Sequence, residues 1–227
     1  AHIMRAVQGR SLIHKQKLST VLYLSYDGMT DPLGRSQVLP YLIGLSKLGL
    51  EFHLISFEKR EAYAKHADTV RSLTQSNGIH WHPLTYTRTP PVISTIWDKL
   101  RMERLASKII REHKVKAVHC RSYISGLVGM KLQRSFGIRF IFDIRGFWAD
   151  ERVEGGLWNL ANPIYNTVYK FFKNQEKSMF AAADVIVSLT SRGADIIHKD
   201  FNVPESSIHV IPCCADLDHF DHHSLNS

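Results

Sequence analysis

The feature that most constrains this chain is a regular alternation of apolar strand patterns with helical patterns from residue 20 onward. Residues 20–26 are β-branched and apolar, and Asp27-Gly28 ends this run. Comparable short runs follow at 52–57, 79–84, 117–120, 140–143, 184–189 and 208–212. Runs of this kind are typical of buried strands. Because helical patterns separate them, the sequence predicts a doubly wound α/β fold with a mostly parallel sheet of about seven strands.

The helices are predicted from apolar residues at helical spacing and from the residues that begin and end them. Ser36 is a favourable N-cap for the first helix, and Ser94 for the long helix that reaches about residue 113. Gly49 is a helix stop. Further helices are predicted at 60–76, 122–135, 163–182 and 191–200. The segment 144–162, rich in glycine, tryptophan and acidic residues, is predicted to be a loop.

The length and composition indicate a globular chain. Its 227 residues slightly exceed one typical domain of roughly 100–200 residues, and 44% of them are hydrophobic, near the globular norm of about 45–50%. The longest apolar runs are far shorter than the ~20 residues of a membrane-spanning helix, and no secretory signal pattern is visible. We interpret residues 1–3, before Met4, as a cloning scar, and 1–19 as that scar followed by a basic tail.

The formal net charge of +8 suits an anionic partner such as a phosphate, a lipid head group or a nucleic acid. Basic residues precede the first strand with no acidic residue among them, which indicates either a solvated tail or a membrane-surface contact: Arg5, Arg10, Lys15 and Lys17. No nucleic-acid recognition motif is present, so we do not expect nucleic acid as a partner. The three cysteines lack metal-type spacing, which indicates reduced thiols in the cytoplasm and no metal site.

The loop after the first strand is the first candidate binding segment, because ligands of open α/β sheets bind beyond the carboxyl ends of the strands. It runs through Gly28 and Gly34 into a helix N-terminus, where unpaired N–H groups and the helix dipole favour an anion. It lacks the G-x-G-x-x-G fingerprint of dinucleotide binding, and a plain strand-to-helix turn is an equal alternative. The candidate binding residues here are Gly34, Arg35, Ser36 and Gln37.

Two further loops carry charged residues at strand ends. Arg121 and Ser122 follow the fourth strand, where the arginine suits a phosphate or carboxylate, or alternatively a structural ion pair. The segment 143–152 follows the fifth strand and concentrates acids, arginines and aromatic residues. Aromatic rings stack on sugars, and a carboxylate accepts hydroxyl hydrogen bonds or acts as a general base. A self-satisfied network of acids and arginines is the alternative. The candidates in this segment are Asp143, Arg145, Gly146, Trp148, Asp150 and Glu151.

Four segments, in order, resemble the N-terminal half of family 4 glycosyltransferases, over roughly residues 20–220. They are the glycine-containing loop and helix at 27–49, the segment 142–151, the passage from Glu176-Lys177-Ser178 into 183–188, and the segment 210–220. The third is similar to the family's helix-to-strand passage, and the fourth to its hinge into a second domain. Two departures are visible: Cys213-Cys214 stand where many members have Asn-Gly, and no histidine follows the fifth strand.

The resemblance implies one Rossmann-like half of a GT-B fold. Residues 20–212 would be the acceptor-side domain and 213–227 a hinge toward a C-terminal domain that holds the nucleotide-sugar donor. It implies transfer to a glycan or lipid-linked acceptor with retention of configuration, without a metal or other cofactor, and little activity from this chain alone. The residues carried over are Asp143, Arg145, Asp150 and Glu151 as catalytic, and Gly34, Arg35, Ser36, Gln37, Arg121, Ser122, Gly146 and Trp148 as substrate-binding.

Weaker signals concern the membrane and metals. The helix at 97–113 carries a basic stripe opposite an apolar arc, which indicates a solvated face or docking on anionic lipid at the inner face of the membrane: Arg101, Arg104, Lys108 and Arg111. His80 and His82 share one face of a strand and are expected at the surface. The histidine-rich segment 218–223 is expected to be a flexible end, with chelation of a divalent metal as the alternative. The alternative to an enzyme half is a non-catalytic Rossmann-like module for an anionic ligand or a partner protein.

Overall fold

The computed structural model describes residues 19–90 and 92–213. The basic tail, Cys214, the segment 218–223 and most of the predicted hinge lie outside the described residues. Seven strands occur in the described part of the chain: β1 (Ser19–Ser25), β2 (Leu50–Glu58), β3 (Ile79–Thr85), β4 (Val115–Arg121), β5 (Arg139–Asp143), β6 (Val185–Ser188) and β7 (Ile208–Val210). They form one sheet of order β3-β2-β1-β4-β5-β6-β7, and every pairing is parallel. The predicted fold class is confirmed.

The helices connect successive strands. They are α1 (Leu39–Lys47), α2 (Arg60–Ser76), α3 (Ile93–Glu112), α4 (Ser122–Phe136), α5 (Trp148–Glu154), α6 (Pro163–Ala182) and α7 (Ser191–Phe201). A five-residue π-helical segment, Gly34–Val38, leads into α1, and a 3-10 turn, Glu205–Ser207, leads into β7. Among the described residues, no helix combines the length and hydropathy that crossing a bilayer requires.

Alternating side chains on the strands feed two hydrophobic cores. On β1, Leu22 and Leu24 belong to the larger core, which α3, α4, α6 and α7 cover. Tyr23 points to the smaller core, which α1 and α2 cover. This alternation is the period-two pattern of a strand that is buried on both faces.

Three local predictions were wrong. The segment 144–162 is not entirely a loop, because α5 forms within it. Ser36 is not an N-cap, because the backbone is already helical from Pro32 and Ser36 lies inside the π-helical segment. Gly34 packs closely on the preceding loop: an added Cβ would lie 2.7 Å from the Met29 Cα. Ser94 is not an N-cap either, since α3 begins one residue earlier and Val92 precedes it.

Candidate functional site

The loop after β1 is held in place by the carboxylate of Glu58, the last residue of β2. Glu58 is buried, and its two oxygens accept hydrogen bonds from the backbone N–H groups of Met29 at 2.8 Å and Thr30 at 3.0 Å. They also accept the hydroxyls of Thr30 and Ser56, each at 2.5 Å. This carboxylate fixes the backbone that leads to Gly34 and the π-helical segment. No local sequence pattern predicts this role of Glu58.

Sheet register brings the predicted polar residues of three strand ends together. Arg121 pairs with Ser25 on one side and with Asp143 on the other, so all three end their strands at the same level. β1 and β4 are adjacent in the sheet, but the helix that follows β1, α1, packs on one face and the helix that follows β4, α4, packs on the other. Such a switch point creates a crevice at the carboxyl edge, which is where open α/β sheets bind their ligands.

Two arginines converge on one side-chain oxygen in this crevice. Arg121 is buried, and its guanidinium donates to Gln37 Oε1 at 3.2 Å and pairs with Asp27 at 3.2 Å. Arg145 donates to the same Gln37 oxygen at 3.1 Å and lies 3.6 Å from Asp143 Oδ1. Each arginine already has one carboxylate partner, so the charges balance; what converges on the neutral Gln37 oxygen is a set of guanidinium donors, a geometry suited to a phosphate or a carboxylate.

Asp143 occupies an unusual position between cationic and aromatic groups. It is buried, and its other oxygen lies 3.7 Å from His119 Nε2. Burial, and after it the nearby Asp143 charge, raises the pKa of both Tyr23 and Tyr41. Within the described part of the chain, Asp143 Oδ1, Arg145 Nε and His119 Nε2 are buried without a hydrogen-bond partner. These unpaired polar atoms have hydrogen-bonding capacity that a bound ligand can use.

These groups line a small cavity of about 260 Å³. Its walls come from β1, the π-helical segment, α1, the ends of β4 to β6 and the stretch after β7. Gln37, Ser36 and Tyr41 lie on one side, and Arg121, Asp143 and Arg145 on the other. Cys213 also lines this cavity and accepts a hydrogen bond from Arg145 at 2.7 Å.

A larger cavity of about 610 Å³ adjoins it between the loop after β5, α5, α6 and α7. Asp150, Glu151, Lys173 and Thr190 contribute polar groups to it. Arg145 lines both cavities, and its backbone has a positive φ of 60°. That conformation is costly for a residue with a Cβ and is typical of residues held in place at a functional site.

A partly buried charge network lies beneath the large cavity. Lys173 donates to Asp150 at 2.8 Å and to the buried Glu176 at 2.5 Å. Tyr169 donates to the second oxygen of Asp150 at 2.8 Å, and Tyr123 donates to Glu176. Burial opposes the charge on Lys173, but the two carboxylates outweigh it and the pKa of Lys173 is raised. Asp150 is therefore held in a fixed position, whereas Glu151, the next residue in the first turn of α5, is exposed.

Not all predicted site residues come together. The structure brings Ser36, Gln37, Arg121, Asp143, Arg145, Gly146, Asp150 and Glu151 into the walls of the two cavities. Gly34 packs against the backbone of Gly28 and Met29 in the loop after β1. Arg35 is exposed, and Ser122 lies in the first turn of α4 with a positive φ. The Trp148 ring packs against Trp158 and Phe172, with centroids 5.2 Å and 4.8 Å away, and lines neither cavity. The roles assigned to these residues stay predictions.

Sequence reasoning missed several groups that the fold adds. They are Asp27, Tyr41, His119 and Lys173. His119 could have been noticed, because it shares a strand face with Arg121 two residues later. Lys173 could not, because its place depends on how α6 packs against α5.

The model of the family described as Glycosyltransferase Family 4 matches residues 41–219. No curated protein matches the sequence with significant similarity. A solved glycosyltransferase from Rickettsia africae ESF-5 is similar with a TM-score of 0.53 at 18% identity, covering 92% of this chain and 47% of its own.

Two other solved structures show the same fold. Sucrose-phosphate synthase from Thermosynechococcus elongatus gives a TM-score of 0.57 at 12% identity, covering 88% of this chain and 49% of its own. LpCGTa, solved in complex with UDP, gives 0.60 at 12% identity, covering 88% and 55%. The chain thus spans about half the length of these structures.

Proposed function

The chain belongs to glycosyltransferase family 4, and on that premise we propose that it is the acceptor-side N-terminal domain of a retaining enzyme. The enzyme transfers a sugar from a nucleotide-sugar donor to a glycan or lipid-linked acceptor. A second domain beyond the segment 213–227 holds most of the donor nucleotide. The similarity to structures of about twice the length supports this division.

The observation that carries the proposal is that Arg145 lines both cavities. Sugar transfer requires a donor and an acceptor to be held side by side, with the reacting atoms in contact. A group bound in the small cavity and a group bound in the large one would meet at Arg145. A module that binds a single anionic ligand has no need of the second cavity.

The small cavity suits the donor sugar and the inner phosphate. The guanidiniums of Arg121 and Arg145 can stabilise the negative charge that develops on a departing phosphate. Asp143 can accept a hydrogen bond from a sugar hydroxyl through Oδ1, which has no hydrogen-bond partner in the described part of the chain. The volume of about 260 Å³ is below the range of roughly 300–1,000 Å³ for complete small-molecule sites, which supports a further wall from a second domain.

The large cavity suits the acceptor. Asp150 is fixed by Tyr169 and Lys173, and Glu151 is exposed beside it, so the turn offers carboxylate oxygens to sugar hydroxyls. Gly146 leaves room for the Glu151 carboxylate, since a Cβ added at position 146 would lie 3.2 Å from the Glu151 Cδ. We place acceptor recognition on this turn and the activation of its hydroxyl near Arg145.

The N-terminal turns of α3 support a contact with a membrane that carries the acceptor. Five apolar side chains are exposed there, between 37% and 64%: Val92, Ile93, Ile96, Trp97 and Leu100. Of the predicted basic stripe, Arg104, Lys108 and Arg111 are exposed, whereas Arg101 is held by Asp98 and the Thr85 carbonyl. Apolar and basic side chains on one helix favour an anionic bilayer surface, on the cytoplasmic side.

Vesicle co-sedimentation tests this contact. Trp97→Ser should weaken binding to vesicles containing anionic lipid, whereas Leu48→Ser, on an 80% exposed leucine of another helix end, should leave it unchanged. Equal binding of both variants, or no dependence on anionic lipid, would remove the membrane from the proposal.

The transfer activity is tested on the full-length gene product. It is incubated with a panel of nucleotide-sugars and a membrane lipid extract, and nucleotide release and product configuration are measured. The proposal expects release with one donor that depends on the extract, and a product with the donor's anomeric configuration. Nucleotide-sugar binding without turnover supports the binding-module alternative, and an inverted product contradicts retention.

A further inference from the structure

A cluster of histidines lies on the sheet away from both cavities. It consists of Glu51 and His53 on β2, His80 and His82 on β3, and His113 directly after α3; we call it the histidine cluster. The ring centroids of His80, His82 and His113 lie 4.7, 5.3 and 4.1 Å from that of His53. His53 is five residues before the end of β2, so the cluster lies about 16 Å from the carboxyl edge at about 3.3 Å per residue.

Three members of the cluster already have their ligand atoms grouped. One ligand atom each from Glu51, His53 and His80 lies within 4.8 Å of the other two. In a tetrahedral zinc site with bonds of 2.0–2.1 Å, neighbouring ligand atoms are about 3.3 Å apart. His80 Nε2 and Glu51 Oε1 are already 3.3 Å apart. The His80 side chain is 54% exposed, so it has room to rotate until its ligand atom reaches this spacing from that of His53, and an ion can reach it from solvent.

His53 presents an unused ligand atom at the centre of this group. The residue is 2% exposed, and its Nε2 has no hydrogen-bond partner in the described part of the chain. A buried polar nitrogen without a partner costs free energy and is rare in folded proteins. Its other nitrogen, Nδ1, lies 3.1 Å from His82 Nε2. If Nδ1 donates that hydrogen bond, Nε2 carries a lone pair, which is the tautomer that binds a metal ion.

Thr20 holds the Glu51 carboxylate in position for the site. It donates to Oε2 at 2.9 Å, which leaves Oε1 directed at His80.

We propose that Glu51, His53 and His80 bind a divalent transition-metal ion of the zinc type, with the fourth position open to solvent beside His80. Imidazole nitrogens with one carboxylate oxygen are a ligand set that suits zinc. The ion ties β2 to β3, which is the edge strand of the sheet. It stabilises that edge and takes no part in chemistry at the carboxyl edge, so the site is independent of the sugar transfer proposed above.

Zinc titration of the chelator-treated, desalted protein tests the site by calorimetry. We expect one zinc ion per chain, bound at least about tenfold more weakly after His80→Ala or Glu51→Gln. His80 is exposed, so its replacement should leave the fold intact, as circular dichroism would verify. His209→Ala, on an exposed strand histidine, is the matched control and should bind zinc unchanged.

A second variant excludes the other histidine-rich part of the sequence. The triple replacement His219→Ala, His222→Ala and His223→Ala should retain the ion, and zinc should still raise Tm. Undiminished zinc binding in both His80→Ala and Glu51→Gln, or its loss in the triple variant alone, would overturn the proposal.

Discussion

Replacing Glu58 with glutamine should destabilise the protein far more than such a conservative change normally does. Each oxygen of the buried Glu58 carboxylate accepts one backbone N–H and one hydroxyl. A glutamine keeps only one oxygen, so its NH₂ group faces the N–H of either Met29 or Thr30. One buried N–H then loses its partner, which costs about 1–3 kcal/mol, and the surviving bonds lose the contribution of the negative charge. We expect a total loss of about 3 kcal/mol.

Urea and thermal denaturation of Glu58→Gln measure this loss. For a domain of this size, about 3 kcal/mol lowers Tm by roughly 6–12 °C. Glu61→Gln, on an exposed carboxylate of α2, is the matched control and should change stability by less than about 0.5 kcal/mol. If the two variants are equally stable, Glu58 is not the anchor of the loop after β1, and the argument that this loop is held rigidly beside Arg121 is wrong.

Three further predictions concern packing, capping and pH. Gly129→Ala should lower the free energy of unfolding by about 1–3 kcal/mol in chemical denaturation, because the added Cβ would lie 2.7 Å from the Phe140 ring. Gly44 has open space around it, so Gly44→Ala should raise the free energy of unfolding by up to about 1 kcal/mol. A change of the same sign in both variants would contradict this. Asn162→Ala should cost about 1 kcal/mol, because the Asn162 side chain caps α6, and Asn162→Asp should not. With chelator present, the free energy of unfolding should be highest above about pH 6.5 and should fall as the pH is lowered toward 4. In this window the histidine takes up a proton in the unfolded chain, whereas in the folded protein the pKa of His53 is lowered to about 4 and the residue stays neutral. A His53 pKa near 6.5, measured by NMR in the folded protein, would refute this.

The fold could be predicted almost completely from sequence, because the strands of a parallel sheet are continuous apolar runs. The α6 bounds matched to the residue, helped by Pro163 at its first position. α5 was not predicted, because its seven residues bury only Ala149 and no apolar periodicity marks them as a helix. Ser36 was misassigned because the helical backbone already begins at Pro32. The close packing of Gly34 on Met29 within this stretch is a contact that local sequence does not encode.

The candidate site was predictable only in part. Arg121, Asp143 and Arg145 follow from their positions at strand ends, since parallel strands end at one edge. The convergence of both arginines on Gln37 depends on pairings between residues 84 and 108 positions apart, which no local pattern reveals. Trp148 was predicted to stack on a sugar because the segment 143–152 follows a strand end and combines acids, arginines and aromatic residues, but packing places it among other aromatic rings. The histidine cluster likewise exists only once β2 and β3 pair.

The most direct test of the central claim measures the kinetics of sugar transfer by the full-length protein and by two of its variants, Arg145→Lys and Arg134→Lys. Arg134 is exposed in the last turn of α4, outside both cavities. Lysine keeps the charge of Arg145 but not its planar set of donors. The account predicts that Arg145→Lys lowers kcat/KM by about 100-fold or more, corresponding to about 2.7 kcal/mol of transition-state stabilisation, while Arg134→Lys matches the parent. Equal activity of the two variants would contradict the claim that donor and acceptor meet at Arg145.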